Sequence, residues 1–149
     1  MGHELLRHPD PRVHRLIVFY EQLAPGDLPR LAEFYTDDAS FKDPFNEVRG
    51  VPAIAAIFRH MFDALDGPRF VVHEAMLEGR QCFLSWDFVF RLRPTDAHPI
   101  TVRGGSHLRF APDGRVEMHR DYWDAAEELY EKLPVLGALM RWLKRRVNR

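Results

Sequence analysis

Residues 81–93 read Gln81-Cys82-Phe83-Leu84-Ser85-Trp86-Asp87-Phe88-Val89-Phe90-Arg91-Leu92-Arg93. The period is two. Cys82, Leu84, Trp86, Phe88, Phe90 and Leu92 fall on one face, and Phe83, Ser85, Asp87, Val89 and Arg91 on the other, the pattern of a strand with one side buried. The same period extends outward from this stretch. Residues 70–76 predict a preceding strand that turns at Glu78-Gly79-Arg80. After a loop at 94–99, Ile100, Val102, Gly104, Ser106, Leu108 and Phe110 alternate with Thr101, Arg103, Gly105, His107 and Arg109. Pro112-Asp113-Gly114 is a hairpin turn, and residues 115–124 form the last strand. Four successive strands joined by short turns make an antiparallel meander.

Upstream of the meander the period is 3.6. Val13, Leu16, Ile17, Tyr20 and Leu23 share one helix face, and Pro25-Gly26-Asp27 ends that helix. Leu28, Leu31, Ala32 and Tyr35 predict a second helix. Residues 39–44, Ala39-Ser40-Phe41-Lys42-Asp43-Pro44, alternate and read as a short strand, because Pro44 biases Asp43 toward extended backbone. Ile54, Ile57, Phe58, Met61, Phe62 and Leu65 mark a third helix ended by Gly67-Pro68. Beyond the meander, Leu136, Leu139, Met140, Leu143 and Val147 predict a C-terminal helical segment over 134–149. Helices laid on one face of a curved antiparallel sheet define an α+β fold.

With 149 residues the chain reads as a single domain, large enough to enclose a core. Lys plus Arg number 21 against 22 Asp plus Glu, a net charge of −1, which argues against a basic nucleic-acid binder. No apolar run reaches the ~18 residues of a membrane span. The N-terminal residues lack the apolar stretch of a signal peptide. The lone Cys82, on the apolar face with Leu84 and Trp86, is expected to be buried and structural, and points to a reducing, cytoplasmic setting. No dinucleotide or phosphate-loop fingerprint, HExxH or paired cysteine is present, so neither cofactor nor metal is expected.

Three stretches carry a resemblance. They are Gly26-Asp27-Leu28; Phe34-Tyr35-Thr36-Asp37-Asp38-Ala39-Ser40-Phe41-Lys42-Asp43-Pro44; and Asp113-Gly114-Arg115 leading to His119-Arg120-Asp121-Tyr122-Trp123-Asp124. In element order and in these motifs the chain resembles the nuclear transport factor 2-like superfamily, in its SnoaL-like and ketosteroid isomerase-like branch. The resemblance spans about residues 12–125, with a C-terminal extension over 125–149. It implies a cone-shaped fold, with three N-terminal helices on a curved antiparallel sheet and a C-terminal helix. That fold hosts isomerases, polyketide cyclases, epoxide hydrolases and noncatalytic binding modules.

Two aspartates are candidate proton carriers. Asp43, framed by Phe41 and Phe45, would be partly desolvated and so suited to act as a base; alternatively it holds the turn before Pro44. Asp43-Pro44 also matches the place of the proton-shuttling aspartate of ketosteroid isomerases. Asp121 matches the acid/base aspartate of limonene epoxide hydrolases and of SnoaL-type cyclases. Parity groups Glu117, His119, Asp121 and Trp123, and the resemblance turns His119, Asp121 and Trp123 into the cavity. The alternative is an Asp121 paired with an arginine or a helix N-terminus.

By the same resemblance Phe19 stands where ketosteroid isomerases have an oxyanion-hole tyrosine, and Ser106 where they have a protonated acid, so that donor set is incomplete. The epoxide hydrolase set is incomplete as well, since Asp87 is the only acid on its strand. Parity turns His107 away from the cone; a bulge near Gly104-Gly105 would reverse this and bring it to the pocket. Tyr35, Met61, Trp86 and Phe88 are expected to line the cone or to fill it as core. A small apolar or polycyclic ligand is the expected partner, turned over by isomerisation, cyclisation or hydration. The alternative is a noncatalytic ligand-binding or dimerisation module. Phe83 and Val89, on the outer sheet face, predict a homodimer. The basic residues Arg141, Lys144, Arg145, Arg146 and Arg149 suit a docked helix or lid better than a membrane anchor.

Overall fold

The computed structural model describes residues 5–128, 142 and 145–147. Helix α1, Pro11–Gln22, starts where Asp10 accepts a hydrogen bond from the Arg12 N–H and where Pro11 needs no donor. Its stripe of Val13, Leu16, Ile17, Phe19 and Tyr20 is buried. The second expected helix is a 3₁₀ segment, Pro25–Glu33, because Pro29 lies inside it and removes a donor from any α ladder. Tyr35 is not on it, and instead opens strand β1, Tyr35–Lys42. A turn leads to the short β2, Glu47–Arg49, and then to α2, Val51–Ala64.

Strand β3 runs Asp66–Glu78 and therefore includes Gly67 and Pro68; a register shift between Asp66 and Arg69 absorbs them. Strands β4, Gln81–Arg91, β5, Ile100–Phe110, and β6, Val116–Tyr122, complete the meander. The sheet order is β2-β1-β6-β5-β4-β3. The meander is thus extended to six strands, with β1 pairing parallel to β6 and β2 pairing antiparallel to β1. A short helix α3, Ala125–Glu128, follows, tied to β5 by Arg103, whose guanidinium donates to Glu128 Oε1 at 2.7 and 2.9 Å. The helix expected over residues 134–149, with its docking or lid role, lies outside the described residues except for 142 and 145–147, which are helical.

The two sheet faces differ as the alternation requires. Cys82, Leu84, Trp86 and Phe90 of β4 are buried under the helices with Val102, Ser106, Leu108 and Phe110 of β5. On the outer side Met76 is 61% exposed and Phe83 36%. Burying the inner set removes apolar surface from water at about 25 cal/mol per Å², the main term holding helices to sheet. Among the described residues no helix is long and apolar enough to cross a membrane.

Candidate active site

The site is built on β6. Period-two geometry puts His119 and Asp121 on its inner face, and the β5–β6 register sets Asp121 opposite Ser106 and His119 opposite Leu108. Ser106 Oγ donates to Asp121 Oδ1 at 2.5 Å, and His119 Nε2 stands 2.6 Å from the same oxygen. Behind Ser106, the Trp86 indole N–H donates to Ser106 Oγ at 2.9 Å. Behind His119, Nδ1 lies 2.7 Å from the Tyr35 hydroxyl and 3.3 Å from that of Tyr20, and the two hydroxyls are 2.5 Å apart.

One chain of hydrogen bonds therefore runs Trp86–Ser106–Asp121–His119–Tyr35–Tyr20. An ionised carboxylate only accepts, so Nε2 carries a proton toward Asp121. In the neutral ring Nδ1 then accepts from Tyr35, and Tyr20 donates to Tyr35. Burial pushes the Tyr20 and Tyr35 hydroxyls well above the usual phenol range, and the Asp121 charge adds to the effect. Both stay protonated, and serve as donors rather than as bases.

Both donors to Asp121 reach Oδ1. Its Oδ2 makes no hydrogen bond among the described residues, and the side chain keeps 16% of its surface exposed, against 4% for His119. Asp121 borders two hollows. The inner one, about 20 Å³, has Tyr20, Ser106 and His119 on its polar side and Phe58, Phe70 and Trp86 on its apolar side. That is room for about one water molecule. The outer one, about 270 Å³, is edged by Lys42, Asp43, Arg120 and Trp123. This arrangement holds one carboxylate oxygen and leaves the other without a partner among the described residues.

Asp43 is half-buried at the rim of that recess. Its Oδ1 accepts from the backbone N–H groups of Phe45 and Asn46 at 2.8 and 2.7 Å, and the Asn46 amide bridges both its oxygens at 3.1 Å. Its carboxylate thus closes the β1–β2 turn. Trp123 borders the same recess and meets the edge of Phe45 at 5.5 Å. Phe19 stacks on Phe34 at 4.0 Å, beside a separate surface hollow lined also by Arg15 and Arg30. Phe88 stacks on Phe70 at 4.7 Å, and Met61 packs half-buried against the core. His107 bonds Gln81 at 2.8 Å, and Asp87 meets His73 at 3.0 Å; neither joins the chain at Asp121.

Tyr20 is the site residue that sequence reasoning passed over. It was legible as a buried position on the α1 stripe, and a buried tyrosine hydroxyl requires a partner. The Ser106–Asp121 contact follows from hairpin register counted from the Asp113-Gly114 turn, but only once the shift between Arg109 and Phe110 is known.

The six-stranded sheet with helices on one face defines a cone-shaped α+β fold with a polar cluster on its inner surface. The family described as SnoaL-like domain matches residues 17–119, and the chain belongs to that family. No curated protein matches the sequence significantly. Among solved structures, a protein with a ketosteroid isomerase-like fold from Catenulispora acidiphila, in complex with trimethylamine, is 14% identical, with a TM-score of 0.68 over 82% of this chain and 92% of that one. A protein from Shewanella denitrificans described as a SnoaL-like polyketide cyclase is 19% identical, with a TM-score of 0.65 over 83% and 100%. An M. tuberculosis epoxide hydrolase of the LEH-like type is 17% identical, with a TM-score of 0.64 over 89% and 93%. At these identities the likeness is one of fold.

Proposed function

We propose that the chain is a small-molecule enzyme that transfers a proton through Asp121, acting on an apolar, ring-containing or terpenoid-like ligand by isomerisation, cyclisation or hydration. The observation that carries this reading is the asymmetry of the Asp121 carboxylate. Two contacts hold Oδ1, Oδ2 makes no hydrogen bond among the described residues, and the residue borders a recess. A carboxylate oxygen with no protein partner beside a recess is available to a ligand. His119 orients Asp121 and spreads charge toward Tyr35. Tyr20, on the inner hollow, stays neutral and holds Tyr35 in place as the donor to His119. Asp43 shapes the rim, Trp123 and Trp86 line the two hollows, and Phe88, Met61 and Tyr35 back them. The cyclase and epoxide hydrolase relatives support small-molecule chemistry, and the trimethylamine-bound one supports a small ligand.

A second reading, a noncatalytic ligand-binding or dimerisation module, is favoured by one observation: the inner hollow holds only about 20 Å³. The two readings separate when cyclic ketones, enones and terpenoid epoxides are incubated with the protein. The enzyme reading predicts a new product from at least one of these classes. Binding with no product from any compound that binds would establish the module reading. We further propose a homodimer through the outer face around Phe83 and Val89, and a cytoplasmic setting in which the buried thiol of Cys82 stays reduced.

A further inference from the structure

Two glycines interrupt the inner and outer faces of β5 in succession, and Gly104 stands directly opposite Trp86 in the β4–β5 register. A Cβ added at Gly104 would lie 2.5 Å from Trp86 Cη2, 2.9 Å from Cζ3 and 3.0 Å from Cζ2. The indole therefore lies flat against the bare Cα of Gly104, closer than any other residue type at 104 would allow. Its other side is closed by Phe70, whose ring meets it edge-on at 5.7 Å. Held between the two, the buried indole has one place for its N–H, the Ser106 oxygen at 2.9 Å.

That bond decides what Ser106 does. A serine hydroxyl donates once, and it rotates to suit its neighbours. With Trp86 donating to its oxygen, the Ser106 proton is directed to Asp121 Oδ1, 2.5 Å away. Together with His119 Nε2 on the same oxygen, this holds one oxygen of the carboxylate and fixes the orientation of the group. We propose that Gly104 and Trp86 are positioning residues that act through Ser106 to fix the orientation of the Asp121 carboxylate beside the recess. The inference rests on the reading of Asp121 as the proton-transfer group only for what the positioning is used for; the coupling itself is a property of the folded chain.

The test is a double-mutant cycle on the full chain, read by NMR from the ring nitrogens of His119 and the side-chain carboxyl carbon of Asp121. Trp86→Phe keeps an aromatic wall and removes the N–H, and Ser106→Ala removes the intermediary. Trp86→Phe is expected to shift the His119 Nε2 signal in the same direction as Ser106→Ala. Adding Trp86→Phe to Ser106→Ala is expected to shift it no further. Gly104→Ala is expected to reproduce Trp86→Phe, and pairing Gly104→Ala with Trp86→Phe should relieve the clash and restore thermal stability without restoring the signal. Wild-type signals in Trp86→Phe, or shifts that simply add in the double variant, would overturn the proposal. The Trp86 and Ser106 variants decide it even if Gly104→Ala does not fold. Because no turnover is read, failure of the coupling and failure of Asp121 as a proton carrier remain separate results.

Discussion

At the scale of single residues, Cys82 connects burial to pH. Burial pushes its thiol up to about 11, and the side chain is 1% exposed. The neutral form is favoured in the fold, so the unfolded chain loses this proton first. Stability is then complete below the unfolded thiol's pKa, declines as pH rises through that range, and is lost above about 11. The raised Tyr20 and Tyr35 hydroxyls act with the same sign at still higher pH. Thermal melting between pH 8 and 11 should show a falling midpoint, shallower in Cys82→Ala. Labelling by a thiol reagent at neutral pH should wait on unfolding; rapid native labelling would contradict the burial. Tyr35→Phe removes the nearer of the two hydroxyls at His119 Nδ1 without touching the inner hollow, and leaves Tyr20 at 3.3 Å. It should leave the fold intact and move the His119 ring signals, because Nδ1 loses its 2.7 Å partner.

Elements rather than residues decide how the site is assembled. The alternation of β4 and β5 was legible because every inward position carries an apolar side chain, a small residue or Ser106. Leu84, fully buried at the centre, should cost about 2–5 kcal/mol when cut to alanine, measured by urea unfolding. A cost below about 0.5 kcal/mol would mean that this face is not the core. The N-terminal half was less legible, for physical reasons. Leu28, Leu31 and Tyr35 keep a helical spacing, yet Pro29 makes the segment 3₁₀ and frees Tyr35 to start β1. Gly67-Pro68 ends helices in general, but here a bulge carries it into β3. The parallel pairing of β1 with β6 is long-range, and no local pattern announces it. It is nonetheless what brings Tyr35 to His119. His119 and Asp121 were readable by parity and resemblance, whereas the Tyr20–Tyr35 pair depended on that pairing.

For the whole molecule, the exposed Met76 and Phe83 on the outer face predict a second copy. Light scattering at micromolar concentration should return about twice the chain's 17.5 kDa, and Phe83→Lys should return the monomer mass. A wild-type monomer would remove this part of the account. The inner face carries the central claim, that Asp121 moves a proton for a ligand in the recess. The most direct measurement is the turnover of any converted compound by wild type and Asp121→Asn, side by side, with melting curves for both. Asparagine keeps the size and the acceptor for Ser106 and His119 but holds no exchangeable carboxyl proton. The account predicts a folded variant whose turnover falls by about two to four orders of magnitude, the usual scale of acid–base catalysis. A folded Asp121→Asn variant that keeps the wild-type rate would contradict it.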